Sequence, residues 1–123
     1  MPILYVQTTR EHTTNSRGPT PIPELSLELP EGAGEQAIII LNTQAMASGS
    51  TLLEGYFKVS VDGVMLPQLA EFSSNFSAAN NRFTIPCTLV AAVPLKLQPQ
   101  KVQALWFLEQ ASAQLTIRIS SLM

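Results

Sequence analysis

The residues best equipped for covalent chemistry are few and scattered. One histidine, His12, one aspartate, Asp62, and one cysteine, Cys87, lie far apart in the 123-residue chain. A serine or cysteine nucleophile needs a histidine base held in place by packing, and His12 falls in a polar segment with no apolar pattern to hold it. Asp62 precedes Gly63, and an Asp-Gly pair between alternating runs reads as a two-residue hairpin turn. Zinc asks for clustered cysteine and histidine ligands. Calcium asks for several carboxylates converging in one loop, whereas the glutamates are dispersed along the chain. No glycine-rich strand-to-helix turn offers a phosphate cradle. This inventory points away from an enzyme and from any metal or cofactor.

Hydrogen bonding and stacking remain. Tyr56 offers a ring and a hydroxyl, which suit the apolar C–H face and polar rim of a sugar, and equally suit a subunit contact. Asn75, Asn80 and Asn81 could meet a ligand's hydroxyls or serve as turn residues, since asparagine tolerates left-handed backbone. Trp106 reads as core or subunit interface. Cys87 alternates with Ile85 and Leu89 and reads as a small buried apolar residue. Asn75-Phe76-Ser77 fits a glycosylation sequon, which matters only in a secretory pathway.

The elements that must position these residues are strands. Leu25, Leu27 and Leu29 alternate with Ser26 and Glu28, as in a half-buried strand. Gln36 to Asn42 is a continuous β-branched run, the pattern of a strand covered on both faces. Phe57, Val59 and Val61 alternate with Tyr56, Lys58 and Ser60 up to the Asp62-Gly63 turn. Residues 69–73, 83–95, 101–108 and 114–120 complete seven or eight strands, with Pro86 requiring an edge or a bulge in its strand. The stretch AMASGSTLLEGYF from Ala45 reads as the loop between two of them. No segment shows a capped 3.6-residue apolar period. The pattern predicts an all-β sandwich or jelly roll. One domain over residues 1–123 is expected, with an extended N-terminal arm at about 1–23 whose stretch 8–23 carries three prolines.

Composition bounds the partners. A net charge of -2 with seven scattered Lys and Arg provides no basic stripe for nucleic acid. No apolar run is long enough for a membrane span, and the N-terminus lacks a cationic start followed by an apolar stretch. The chain reads as soluble, in the cytoplasm or exported by a non-standard route. With 13% charged residues against 46% hydrophobic, the surface is expected to hide part of itself in an oligomer.

The strings IILN, ASG, GYF, IPCTLVAAV and VQALW, in that order, resemble the tumour-necrosis-factor-like, fucose-binding lectin domain that forms the N-terminal half of a bacterial superlectin. The likeness extends from about Ile22 to the C-terminus. It implies a TNF-like jelly roll that assembles as a homotrimer, with calcium-independent sugar sites in clefts between subunits. Carried over residue by residue, Tyr56 matches a site tyrosine and Ser73 keeps a hydroxyl where the family has threonine. Met46 and Ser74 replace tyrosines, and Asn81 and Arg82 stand for serine and threonine. The family's two sugar-gripping arginines appear as Thr84 and Gln110, which cannot reproduce arginine's rigid fork of donors. Arg82, two residues from Thr84 and on the same strand face, offers a shifted cationic donor. The reading is therefore a non-catalytic, lectin-like, metal-independent glycan-binding module. Its alternative is a structural or assembly trimer that has lost sugar recognition.

Overall fold

A computed structural model describes residues 4–48, 52–75, 83–108, 114–117 and 121–122. The chain is all-β, in two antiparallel sheets that face each other as in a β-sandwich. Its strands are β1 (Val6–Gln7), β2 (His12–Thr14), β3 (Thr20–Leu29), β4 (Gln36–Ser48), β5 (Leu52–Val61), β6 (Val64–Met65), β7 (Ala70–Asn75), β8 (Phe83–Pro94), β9 (Gln100–Leu108), β10 (Gln114–Ile117) and β11 (Ser121–Leu122). In the first sheet β4 pairs with β8 along one side and with β10 and β11 along the other, and these pair in turn with β2 and β1. In the second the order is β3-β9-β5-β6, with β7 also on β5. Among the described residues no helix is long and apolar enough to cross a membrane.

Alternation decides what each strand buries. Ile39 and Leu41 of β4 and Leu89, Ala91 and Val93 of β8 face Phe57, Val59, Val102, Ala104, Trp106 and Leu108 of the second sheet. Phe57 is fully buried and Trp106 nearly so, so the tryptophan is a core residue. Cys87 is half-buried, and burial pushes its thiol up from the usual value. Pro86 lies opposite Gln44 in β8, and β8 pairs only with β4 among the described residues. A proline belongs on such an edge because it has no N–H to give a second partner.

One expectation changes. The run Gln36–Asn42 is covered on one face only: Ile38 is 67% exposed, and Val90 of the neighbouring strand is 56% exposed. The reason is that a two-layer sandwich supplies one covering sheet, and the β-branched residues on the other side of β4 have no second layer. The polar segment 8–23, read as an extended arm, runs along the sandwich. His12–Thr14 pairs with β10, Val6–Gln7 pairs with β11, and β3 already begins at Thr20. A strand ladder is made by backbone N–H and C=O groups, so polar side chains do not prevent it. His12 is accordingly buried, with 9% of its surface exposed.

Candidate functional site

The expected site residues are divided between the sheets. Tyr56 stands in β5, opposite Phe107 of β9 and Glu71 of β7. Ser73 and Ser74 lie in β7, opposite Glu54 and Leu53, so they belong to the same sheet as Tyr56. Thr84 and Met46 are register partners of each other in the opposite sheet. Asn81, Arg82 and Gln110 lie outside the described residues. Within one chain, Tyr56 and the two serines are brought into adjoining strands, while Thr84 and Met46 are in the other layer.

Around Tyr56 the outer face of the second sheet carries a surface assembled from strands far apart in sequence. Phe57 points into the core, so Tyr56 points away from it. Its ring stacks on Phe107, with centroids 4.7 Å apart and planes within 15°. Both rings are half-buried. The next two outward pairs along the β5–β9 seam are Lys58 with Leu105 and Ser60 with Gln103. Continuing in that direction, the seam opens into a groove of about 550 Å³ lined by Pro21, Ser60, Asp62, Met65, Gln103 and Leu105, among others.

A hairpin flanks the groove on one side and a bulge on the other. On one side β6 returns through the Asp62-Gly63 turn, whose φ values of 50° and 82° are the two positive angles a type I′ hairpin needs. The turn is tied down by the Asp62 N–H donating to the Lys101 C=O and the Lys101 N–H donating to Asp62 Oδ1, each at 2.9 Å. On the other side β3 bulges. Pro21 is opposite Leu105 and Ser26 is opposite Gln103, leaving Ile22 to Leu25 against Ala104 alone. Gln103 Nε2 pins the bulge by donating to the carbonyls of Ile22 (3.2 Å) and Leu25 (3.1 Å). The bulge turns both Ile22 and Leu25 into the core, which regular alternation would forbid for residues three apart.

Glu24, inside that bulge, has a φ of 69°, an unusual conformation for a residue with a side chain. Its carboxylate accepts from the Thr9 hydroxyl, from the Thr9 N–H at 3.1 Å, and lies 2.7 Å from His12 Nε2. Hydrogen bonds from Thr9 and then His12 lower its pKa to about 2. The histidine therefore clamps the N-terminal segment to β3. It faces a carboxylate. Among the described residues no group of three or more His, Cys, Asp or Glu stands together.

Sequence reasoning named Tyr56 as a candidate but not Phe107, Ser60 or Gln103, which lie on the same sheet face. The signal for Ser60 was present in the alternation of β5, which puts Tyr56, Lys58 and Ser60 on one face. Their partners from β9 depend on register, which no local pattern in 100–108 announces.

No family model matches the chain, and no curated protein matches it. Among solved structures it is similar to dimeric latent PorU from Porphyromonas gingivalis, with 10% identity and a TM-score of 0.44. That alignment covers 98% of this chain and 13% of the other. A likeness this slight decides nothing about fold or function.

Proposed function

We propose that the protein is a non-catalytic, lectin-like module of the TNF-like jelly-roll kind, a homotrimer that binds a glycan without metal. The observation that carries this is the stacked pair Tyr56–Phe107 on an outward sheet face, with the hydroxyl of Ser60 and the amide of Gln103 further along the same face. Aromatic rings cover the apolar face of a sugar while hydroxyl and amide groups meet its rim. The jelly-roll reading is supported by the connections: β3 to β4, β4 to β5, β7 to β8, β8 to β9 and β9 to β10 each cross from one sheet to the other, the habit of Greek-key sandwiches. In the trimer, Tyr56 with Ser73 and Ser74 supplies one side of a boundary site, and Asn81, Arg82, Thr84 and Gln110 complete the candidate contacts. Tyr56 is the best-supported of these.

A broad glycan array tests this reading. Reproducible binding that falls at least about tenfold, a loss of about 1.4 kcal/mol, in Tyr56→Ala supports it. Silence across the array overturns it in favour of the second reading, a purely structural trimer. That reading has its own observation, the exposed apolar face at Ile38 and Val90, which serves assembly whether or not a sugar binds.

A further inference from the structure

We propose that the bound glycan is an extended neutral oligosaccharide, lying along the β5–β9 seam from the Tyr56–Phe107 rings into the groove under the Asp62-Gly63 hairpin. This inference rests on the glycan reading of Tyr56 and adds the class of ligand and a second contact region.

Four observations carry it. The seam is continuous: Tyr56, Lys58 and Ser60 share one face, as do their partners Phe107, Leu105 and Gln103. From Tyr56 to Ser60 the strand advances about 13 Å at roughly 3.3 Å per residue, further than one sugar ring reaches. The floor of the groove is shaded although it faces away from the core. Leu105 is 8% exposed and Ser60 7%, and their register partners Pro21 and Met65 line the same groove.

The third observation is unused polarity. No protein hydrogen bond engages Ser60 Oγ or Gln103 Oε1 among the described residues, so both are open to the groove, while Gln103 Nε2 is spent on the bulge. A hydroxyl and an amide oxygen at the floor of a groove can donate to and accept from sugar hydroxyls. Charge is the fourth. Lys58 and Lys101 on this surface are balanced by Asp62 at the turn, Glu71 opposite Tyr56 and Glu28 opposite Lys101. Neither sign dominates, so a phosphate, sulfate or uronate is not selected. A peptide strand is not selected either, because the seam lies inside the sheet and its backbone groups are already paired, leaving no edge to extend.

The test is a length series of neutral oligosaccharides, from monosaccharides to hexasaccharides of gluco-, manno-, xylo- and fucosylated types, titrated against the wild type, Met65→Arg and Tyr56→Ala. Met65 is 47% exposed, so arginine there obstructs the groove without entering the core, and unchanged circular dichroism and Tm verify this. The expected result is affinity about tenfold or more higher for tetra- to hexasaccharides than for the monosaccharide of the same series. Met65→Arg abolishes that gain and leaves monosaccharide binding intact, whereas Tyr56→Ala weakens every length. Binding that does not grow with length, or growth that survives Met65→Arg, overturns the extended site while the Tyr56 reading stands. Failure of every sugar in the series to bind the wild type overturns both.

Discussion

Glu24 is strained in its backbone and satisfied in its side chain, and the two conditions are linked. A left-handed φ costs a residue with a Cβ roughly 1–2 kcal/mol, so the surrounding contacts must over-determine it. Thr9 and His12 do so by holding the carboxylate. A carboxyl whose folded pKa is about 2 against an ordinary 4.5 binds fewer protons folded than unfolded. Its contribution to stability is complete above the ordinary value and is lost as pH falls through that window toward 2. The expected outcome is a wild-type Tm that drops between about pH 5 and pH 2, and a Glu24→Gln protein whose Tm is lower at neutral pH. The gap between the two narrows as acid protonates Glu24. Parallel Tm curves across that range would show that the clamp does not depend on the carboxylate's charge. None of this was legible in the sequence around His12. The segment has no apolar period, and its partner carboxylate comes from another strand.

At the level of elements, local patterns read well where one face is buried and the turn is short. The alternation of β5 and the Asp62-Gly63 pair specified both a strand ending at Val61 and a turn with two positive φ values. The β-branched run of β4 was misleading because Ile38 and Ile40 resemble core residues in sequence, although Ile38 is largely exposed. Irregularity was the least legible feature. Leu25 and Leu29 are buried as their alternation suggests, but the bulge that also buries Ile22 is set by Gln103 from β9. The candidate site inherits this limit, since one ring of its aromatic pair and the bulged wall of its groove come from inter-strand register. The hairpin wall can be tested directly. Gly63→Ala forces a Cβ into φ 82° and is expected to cost about 1–2 kcal/mol. Asp62→Asn keeps both the Oδ1 acceptor for the Lys101 N–H and a residue tolerant of positive φ, and is expected to be nearly neutral. Chemical denaturation of both variants measures the difference, and equal losses would mean that the hairpin is held by contacts other than its own turn geometry.

For the whole molecule, the exposed face of the first sheet is the feature a single chain leaves unfinished. Ile38 lies opposite Ala92, and Ile40 opposite Val90, so four apolar residues form a contiguous block on β4 and β8. Asn42 and Thr88 close it, the Thr88 hydroxyl donating to Asn42 Oδ1 at 2.8 Å. No charge interrupts the block, and among the described residues β8 beside it pairs on one side only, the arrangement that drives unwanted pairing unless covered. A copy of the same chain seated there is the assembly proposed above. Light scattering on the purified protein at micromolar concentration is then expected to return three times the 13.4 kDa chain mass, and Ile38→Lys/Val90→Lys to return the single-chain mass. Both positions are exposed in the isolated chain, so the double variant should keep its strand signal by circular dichroism. A wild-type protein of single-chain mass would remove the trimer. A double variant that remains three chains in size would move the interface to another face.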